Sequence, residues 1–439
     1  MQKSLFALLS FLFCWNICLS QTNRQLEYFK DWVKSNTPAG YDSTLNYLSY
    51  YSGNNLHYLR PMEQLYRDEK KFRHLLTDSG YNDAMSEAVS IAGDYSSALE
   101  FQKLNYKIEV DEVARRQIYK VIQGMKDIRH VDAEKFISFI SRNYKVIMMN
   151  EASNKPLHRA FMMSLLDDLY KKGFRYFALE MLDNHSTHSL DKLNAMTGGY
   201  SCEPVAGEMI RYALDLGYTL VSYEDTLAAQ HTPTQRDAIQ AQNIYRALQM
   251  DSSAKMIVYG SYGHIAEKGN SDYTPMAEAF KKISAIDPLT IDQSSMTEES
   301  DFAYGKTFYS AYMEKFPLTI PSVALVNDEP FNVTQSELYD ITVIHPPTVY
   351  RDSRPTWLSL SGRRQPMYIK PSNKNTFFVQ AYYQFESFGT RPGQVVPADQ
   401  TYIPTNKGNY LLYLRRGKYI LIFRDVQYKA LNTLVIEVN

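Results

Sequence analysis

Cysteine and net charge are what this chain has least of. Of its 439 residues only three are cysteine, and two of these, Cys14 and Cys18, lie in the apolar stretch at the N-terminus. Removal of that stretch as a signal peptide leaves Cys202 alone, which excludes an internal disulfide in the mature protein. The 47 Lys and Arg residues nearly balance the 48 Asp and Glu residues, for a formal net charge of −1. This balance argues against nucleic acid or an anionic membrane as the main partner.

The motifs of several common enzyme classes are also missing. The sequence contains no Gly-x-Ser-x-Gly elbow, no His-Glu-x-x-His and no P-loop. A hydrolase with a serine nucleophile and a nucleotide-dependent enzyme are therefore disfavoured.

Residues 1–20 have the pattern of a secretory signal peptide. Lys3 gives the start a positive charge, residues 5–18 are apolar, and small residues precede Gln21. The pattern predicts cleavage near Ser20 and a secreted or periplasmic protein. Because the apolar run is short for a bilayer span, no membrane span is expected after cleavage.

The chain length and the change of periodicity along the chain predict three further regions. Residues 21–142 have apolar side chains at helical spacing and are predicted to form a helical N-terminal region. Residues 143–365 alternate short apolar runs with helical patterns, which predicts an α/β core whose parallel sheet carries helices on both faces. From residue 366 to residue 439 the helical period is lost, and strand-like runs predict a small, separable antiparallel β domain.

Individual elements follow from the same patterns. After the first strands, the core is predicted to contain further strands at Tyr218–Tyr223, Lys255–Tyr259, Ile283–Leu289 and Tyr339–Ile344. Helices are predicted between them at Gly207–Leu216, Thr234–Gln249 and Pro275–Lys282. Residues 293–335 are expected to be an insertion or a lid. In the β domain, the Arg416-Gly417 turn predicts a hairpin of Leu411–Leu414 with Tyr419–Phe423.

One strand–helix–strand unit carries most of the candidate functional residues. The apolar run Val146–Asn150 predicts a buried strand, and Glu151 follows it directly. Pro156 suits the first turn of the next helix, and the strand Phe174–Leu179 is followed by Glu180. Ligands of open α/β sheets bind at the carboxyl ends of the strands, so both carboxylates are expected at one sheet edge.

The types of these residues suggest acid–base chemistry. Glu151, partly desolvated after a buried strand, is expected to have a raised pKa. His158 lies in the first helical turn, where the helix N-terminus disfavours imidazolium, so it is expected to be neutral as a base or a metal ligand. Arg159 is expected either to bind a substrate carboxylate or phosphate or to hold Glu151 ionised. For Glu180 a structural ion pair and a functional role are equally open.

His264 is the strongest single candidate. It ends the loop Gly260-Ser261-Tyr262-Gly263-His264, which follows a predicted strand and contains two glycines that allow a tight turn. Such a position suits acid–base chemistry or metal binding. Further candidates come from neighbouring loops: Glu224, Asp225, Arg236, Asp237, and the pair His185 and His188, which has a spacing that suits a metal.

Taken together, these motifs resemble those of the erythromycin esterase-like and ChaN-like superfamily, which includes the TraB and Tiki proteins. Its esterase-type members carry Gly-Glu-x-x-His after the first strand with a further His one turn later, a strand that ends in Glu, and a late His-Asn-x-His loop. The matching residues are Glu151, His158, Glu180 and His264. The resemblance covers roughly residues 143–360.

The chain departs from that pattern at several positions. Asn150 replaces the motif glycine, and Asn154 stands where the esterase members place the His proposed as the general base. Ser261 and Tyr262 replace the His-Asn pair of the later loop.

The resemblance implies an exported hydrolase that acts on an ester or amide bond. Its catalytic residues are expected to be Glu151, His158, Glu180 and His264, and its substrate-binding residues Arg159, Asn154, Arg236 and Tyr262. A divalent metal ion held by the four catalytic residues is an open cofactor alternative. Two other functions stay open: a non-catalytic protein that binds haem, a metal or another small molecule, and an envelope module whose β domain docks a protein partner.

Overall fold

The computed structural model describes residues 25–36, 46–51, 56–105, 111–184, 190–251, 253, 255–300, 305–332, 334, 337–387, 394–402 and 410–439. The predicted signal peptide and the pair His185 and His188 lie outside the described residues. The chain divides into two compact units. The terminal unit consists of the described residues of Met1–Asn105, Cys202–Gly207 and Thr348–Asn439, and the central unit of those of Tyr106–Ser201 and Glu208–Pro347.

Helices and strands alternate along the central unit, whereas strands predominate toward the C-terminus. The helices are α1 (25–35), α2 (Arg60–Arg67), α3 (Glu69–Ile91), α4 (Tyr95–Asn105), α5 (Glu112–Gly124), α6 (Ala133–Ser141), α7 (Pro156–Lys171), α8 (Pro204–Leu216), α9 (Pro233–Gln249), α10 (Met276–Ser284), α11 (Gly305–Lys315) and α12 (Gln384–Ser387). The strands are β1 (Arg129–Asp132), β2 (Val146–Glu151), β3 (Phe174–Leu179), β4 (Thr219–Ser222), β5 (Lys255–Ser261), β6 (Leu289–Asp292), β7 (Ser322–Val326), β8 (Glu329–Pro330), β9 (Ile341–Ile344), β10 (Tyr350–Arg351), β11 (Arg354–Pro355), β12 (Gln365–Ile369), β13 (Phe378–Tyr383), β14 (Asp399–Tyr402), β15 (Tyr410–Leu414), β16 (Gly417–Arg424) and β17 (Ala430–Val438).

The central unit is built on one sheet, in the order β1-β7-β9-β6-β2-β5-β3-β4, with β8 paired to β7. The strands from β9 to β4 run parallel, and β7 and β1 extend the sheet in antiparallel fashion. Strand β2 is buried at every position, as expected for the centre of a parallel sheet. The predicted α/β fold class, with a mostly parallel sheet and small antiparallel sheets toward the C-terminus, is confirmed.

One apolar layer covers a face of this sheet. Val146 and Met148 of β2 pack with Val258 of β5, and α9 and α10 contribute Ile244 and Phe280 to the same cluster. These side chains come from alternate strand positions and from positions at helical spacing, which is why the apolar pattern located most of the elements correctly.

Two predictions within the central unit are wrong. The segment Ile283–Leu289 is not a strand, because α10 continues through Ser284, Ala285 adopts a left-handed conformation, and β6 begins only at Leu289. Residues 293–335 are not an insertion or a lid: they supply α11 and β7, and β7 joins the sheet between β1 and β9.

The predicted hairpin across Arg416-Gly417 is also wrong. Strand β15 pairs with β12, whereas β16 pairs with β13 and β17. The burial patterns give the reason: β15 is buried at every position, but β16 alternates between buried and half-exposed residues. The two strands therefore suit different sheets, although only a short turn joins them.

The terminal unit joins helices from the start of the chain to strands from its end. Phe29 of α1 stacks on Phe377 with ring centroids 5.7 Å apart. The Gln400 side chain donates to the carbonyl of Ile91 at 2.6 Å. The predicted domain boundaries after residues 142 and 365 stay predictions. Among the described residues, no helix is long and apolar enough to cross a membrane.

Candidate active site

The carboxyl ends of three adjacent strands bring two carboxylates to one sheet edge. In the register of the sheet, Glu151 at the end of β2 lies opposite Ser261 at the end of β5. On the other side of β5, Leu179 of β3 lies opposite Tyr259, so Glu180 follows at the same edge. The backbone N–H of Ser261 donates to Glu180 Oε2 at 2.6 Å. Glu151 and Glu180 thus flank the end of β5, as the sequence predicted.

Arg236 reaches this edge from the first turns of α9. Thr232 and Gln235 form a capping box at the start of that helix, which fixes the backbone just before Arg236. The Arg236 Nη2 donates to Glu180 Oε1 at 2.7 Å, and Nε donates to Glu224 Oε1 at 2.9 Å. Two carboxylates thus surround one guanidinium. Their hydrogen bonds, that of Glu224 first, raise the pKa of Arg236 above its usual value, so Arg236 is always charged.

His264 occupies the short 3-10 turn that follows β5. Its Nδ1 lies 2.8 Å and 2.9 Å from the two carboxylate oxygens of Asp237, which neighbours Arg236 on α9. Asp237 is fully buried and also accepts hydrogen bonds from the Tyr273 hydroxyl at 2.7 Å and from the Met276 N–H at 3.0 Å. Because an ionised carboxylate only accepts, Nδ1 carries the proton and Nε2 of the neutral ring holds a lone pair.

The second ring nitrogen of His264 faces the charged cluster. Nε2 lies 3.2 Å from Arg236 Nη1 and 3.7 Å from Glu180 Oε1, and the side chain keeps 16% of its surface exposed. Burial lowers the pKa of His264, but the hydrogen bond to Asp237 and the charge of Glu180 outweigh it, so the pKa lies above its usual value. Part of the His264 side chain therefore remains accessible to solvent.

Glu151 lies behind this cluster in an ion pair. Its carboxylate accepts from Arg159 Nε at 2.8 Å and from Nη2 at 3.2 Å, with both side chains about 1% exposed. Burial raises the pKa of Glu151, whereas Arg159 and the hydroxyls of Tyr259 and Tyr200 lower it in part. Arg159 thus acts on Glu151, which is one of the two roles that the sequence left open.

Tyr200 is bonded to Glu151 and is close enough to Glu180 to be affected by its charge. Its ring lies over the Arg159 guanidinium, 4.8 Å from the guanidinium carbon. Burial, followed by the charges of Glu151 and Glu180, raises the pKa of its hydroxyl, which is therefore a permanent hydrogen-bond donor. This tyrosine comes from a loop with no periodic pattern, so nothing in the sequence indicated it.

Asn150 organises the loop that carries His264. Its side-chain amide donates to the carbonyl of Tyr262 at 3.0 Å and to Asp292 Oδ1 at 2.8 Å, while its oxygen accepts from the Gln293 N–H at 2.8 Å. Tyr262 has a positive φ of 41°, a strained conformation for a residue with a side chain. The buried amide therefore holds a strained backbone in place two residues before His264.

His158 contacts a different group of buried polar residues, which includes His345 and Gln293. It is fully buried, and its Nδ1 accepts a hydrogen bond from the Ala152 N–H at 3.0 Å. The ring of His345 lies beside it with centroids 5.3 Å apart, and His345 Nε2 contacts Gln293 Oε1 at 3.2 Å. Burial, with smaller contributions from neighbouring charges, lowers the pKa of His158. This direction agrees with the predicted neutral state, but its main cause is burial and not the helix N-terminus.

The predicted site is thus brought together in part. Glu151, Glu180, Arg236 and His264 meet at one edge, whereas His158 does not join them. Asn154 is buried in the turn before α7, and Tyr262 contributes its backbone carbonyl to the Asn150 contact. In the described part of the chain, no three His, Cys, Asp or Glu side chains form a group that could hold a metal ion. The predicted four-residue metal site is therefore not assembled.

Comparisons with known proteins identify no family for this chain. No protein-family model and no curated protein matches the chain. Among solved structures, RRSP, a MARTX toxin effector domain from Vibrio vulnificus CMCP6, shares 12% sequence identity at a TM-score of 0.31, over 59% of this chain and 56% of that one. Two structures described as bacterial protein toxins share 12% and 13% identity at TM-scores of 0.31 and 0.29. They cover 64% and 63% of this chain and 65% and 57% of their own. At TM-scores this low, the likeness carries no argument about function.

Proposed function

We propose that this protein is a hydrolase that cleaves an ester or amide bond with His264 as its general base and acid. One observation carries the proposal: His264 is held by the buried Asp237 through Nδ1, and its Nε2 lies at the sheet edge beside Arg236 and Glu180. A histidine with a fixed tautomer and a carboxylate behind it is the usual arrangement for proton transfer at neutral pH.

The proposed reaction uses the two charge states of His264. The neutral ring takes a proton from a water molecule at Nε2 as the water oxygen bonds to the substrate carbonyl carbon. Asp237 stabilises the imidazolium that forms, since its carboxylate accepts from Nδ1 in both states. Nε2–H then gives the proton to the leaving oxygen or nitrogen as the bond from the carbonyl carbon to it breaks.

Arg236 changes partners in this scheme. In the resting protein, Arg236 Nη1 lies 3.2 Å from the lone pair of His264 Nε2. In the proposed scheme that N–H turns to the substrate carbonyl oxygen when the substrate binds, which frees the Nε2 lone pair to accept from the water and places the N–H at the negative oxygen that develops. A preorganised donor at that point lowers the barrier because the charge it stabilises appears only in the transition state. Glu180 holds the guanidinium in place through Nη2.

With His264 as the base, the reaction does not need a histidine at position 154. Because Asn154 cannot take a proton, the base must come from elsewhere in the site, and His264 combines exposure with a carboxylate partner. Glu151 is less suited, since its carboxylate is engaged by Arg159 and nearly inaccessible.

The test is hydrolysis of a panel of chromogenic ester and amide probes by the purified protein. We expect His264→Gln to lower kcat/KM by at least about 100-fold, the usual contribution of a general base. His130→Gln is the control, because His130 lies on β1 and contacts the Tyr312 hydroxyl at 2.7 Å, so it has no partner in the cluster among the contacts described. The control should keep full activity.

The pH profile separates a base from a structural histidine. Activity should rise with pH as His264 loses its proton, and this limb should lie above about pH 6.5, because the pKa of His264 is raised above its usual value. Asp237→Asn removes one cause of that shift, so the limb should move to lower pH while the maximal rate falls. Full activity of His264→Gln on every cleaved probe, or no cleavage above the buffer rate, would overturn the proposal.

A further inference from the structure

The carboxylate of Asp237 accepts hydrogen bonds from more groups than His264. Its Oδ1 lies 2.8 Å and its Oδ2 2.9 Å from His264 Nδ1. Oδ2 also accepts from the Tyr273 hydroxyl at 2.7 Å and from the Met276 N–H at 3.0 Å. Asp237 is fully buried, so these donors take the place of water around its charge. His264 therefore shares its carboxylate with two donors from the segment that leads into α10.

One of these donors belongs to the start of α10. Met276 is the first residue of that helix, and the residue before it, Pro275, makes no side-chain cap hydrogen bond. The Met276 N–H has no acceptor within its own helix, so the carboxylate of Asp237 supplies one. A negative charge at a helix N-terminus is also stabilised by the helix dipole. The start of α10 thus fixes Oδ2 of Asp237.

The second donor, Tyr273, lies on a closely packed turn. The Asn270 N–H donates to the Tyr273 carbonyl at 2.9 Å, and the Asn270 side chain accepts from the Tyr273 N–H at 3.0 Å. A Cβ on Gly269 would lie 1.9 Å from the Tyr273 carbonyl oxygen, so a larger residue there would displace the turn. The Thr274 N–H donates to the Thr234 hydroxyl at 3.2 Å, which ties the turn to α9. The backbone of Tyr273 is therefore held in place.

The Tyr273 hydroxyl opposes protonation of His264. Burial, followed by the hydrogen bond to Asp237 and its charge, raises the pKa of the Tyr273 hydroxyl, so it stays protonated and donates. A donor to a carboxylate takes up part of the negative charge and so weakens the attraction for a second donor. The second donor here is Nδ1–H of His264, which is attracted most strongly when the ring is imidazolium.

The other charged groups around His264 act in both directions. Burial lowers the pKa of His264, the hydrogen bond to Asp237 and the charges of Glu180 and Asp237 raise it, and the charge of Arg236 lowers it. Glu180 follows β3, whereas Arg236 and Asp237 both lie on α9. Tyr273 acts on the hydrogen bond to Asp237, which comes first among the contributions that raise the pKa.

We propose that Tyr273 is a positioning residue for His264: its hydroxyl fixes the Asp237 carboxylate and moderates its pull on the imidazole, which keeps the resting ring neutral and able to accept a proton. The inference rests on the proposed function, because it concerns the histidine proposed as the general base. Tyr273 acts through Asp237 and takes no part in bond making.

NMR titration of the full chain, labelled at its histidines, measures the pKa of His264 directly, and His264→Gln identifies the signal. Tyr273→Phe removes the hydroxyl, while Oδ2 of Asp237 keeps the Met276 N–H. The pKa of His264 should therefore rise by at least about 0.5. The limb on which probe hydrolysis rises with pH should move upward equally, so kcat/KM should fall about threefold below the limb and little above it.

A stronger donor should have the opposite effect. Tyr273→3-fluorotyrosine keeps the ring and the hydroxyl but makes the hydroxyl more acidic, so the pKa of His264 should fall. Opposite shifts in the two variants distinguish control of the Asp237 charge from a loss of packing. Tyr368→Phe is the matched control, because the Tyr368 hydroxyl of the terminal unit also donates to a carboxylate, Asp352 Oδ2, at 2.7 Å. It should leave the pKa of His264 unchanged.

The two proposals fail in different ways. A His264 pKa that is unchanged in both Tyr273 variants, or that moves in the same direction in both, would overturn this inference. If the probes are still cleaved, the hydrolase proposal would stand. The expected opposite shifts without cleavage of any probe would overturn the hydrolase proposal, while the action of Tyr273 on His264 would stand.

Discussion

Two buried histidines show how the hydrogen-bond partners of a side chain fix its proton. His158 Nδ1 accepts from a backbone N–H, so the neutral ring carries its proton on Nε2. Gln293 uses its amide nitrogen as a donor to the Asn150 carbonyl, so its oxygen accepts from His345 Nε2, which leaves a lone pair on His345 Nδ1. The remaining atoms, His158 Nε2 and His345 Nδ1, are one donor and one acceptor, both buried. A shared water molecule would satisfy both atoms.

These histidines predict that acid destabilises the central unit. Burial, followed by the charge of Lys155, lowers the pKa of His345 to about 3, and burial also lowers the pKa of His158. Between about pH 6.5 and pH 3 the unfolded chain binds protons there that the folded chain does not, so stability falls as the pH falls. Each such group contributes a slope of up to about 1.4 kcal/mol per pH unit.

Urea unfolding across that pH range measures this slope. His345→Gln keeps a donor toward Gln293 but removes the titration, so the variant should lose stability less steeply on acidification. His74→Gln, a change at an exposed histidine of α3, serves as the control and should retain the original slope. Equal slopes for all three proteins would show that His345 does not govern the acid response.

At the residue scale, the sequence placed correctly those residues of the candidate site whose position is determined by the end of a strand. Glu151, Glu180 and His264 follow strands of one parallel sheet, and any such sheet gathers them at one edge. His158 was misplaced although a signal existed: His158, Met162, Leu165 and Leu169 recur at helical spacing and are all buried, which indicates an inward helix face. His345 and Tyr200 are distant in sequence from the residues that they contact, and only folding brings each of them to its partners.

At the scale of elements, periodicity found the strands and helices that are buried in a regular way. It failed where burial and pairing depend on distant partners. Strand β15 is short and wholly buried, and its partner β12 lies more than forty residues earlier rather than across the nearest turn. No local pattern distinguishes that arrangement from a hairpin.

The turn between α3 and α4 gives a prediction at this scale. Gly93 has a φ of +86°, and a Cβ placed on it would lie 2.2 Å from the carbonyl oxygen of Gln400. Arg354 Nη1 donates to the Gly93 carbonyl at 2.6 Å, so the turn cannot easily move away. Gly93→Ala should therefore lower the free energy of unfolding by several kcal/mol, more than the roughly 1 kcal/mol of backbone strain alone.

Gly362 supplies a control in the same unit. Its φ of +84° is nearly the same, but a Cβ there would meet nothing within 4 Å. Gly362→Ala should therefore show only the backbone strain. Denaturant unfolding of the two variants separates the free-energy cost of the clash from that of the backbone strain. Equal losses of unfolding free energy would show that the close approach of Gln400 adds nothing to the cost.

At the scale of the whole molecule, the two ends of the chain belong to one unit. Helices from the first hundred residues depend on residues near the C-terminus for their apolar and polar partners. Phe29 stacks on Phe377, His57 stacks on Tyr428 with ring centroids 3.9 Å apart, and Gln400 bonds to the end of α3. The change of periodicity near residue 366 therefore marks a change of secondary structure within the terminal unit.

This organisation predicts the result of truncation. Removal of residues 366–439 takes away Phe377, Gln400 and Tyr428 together, so α1 to α4 should lose protection and become sites of limited proteolysis. Phe377→Ala tests the same dependence with one side chain: Phe377 is 3% exposed, and its loss should cost roughly 3–5 kcal/mol of unfolding free energy. Phe385→Ala, at a phenylalanine that is 70% exposed, should cost less than about 0.5 kcal/mol. If the truncated chain keeps α1 to α4 resistant to protease, the C-terminal strands form the separable domain that the sequence pattern predicted.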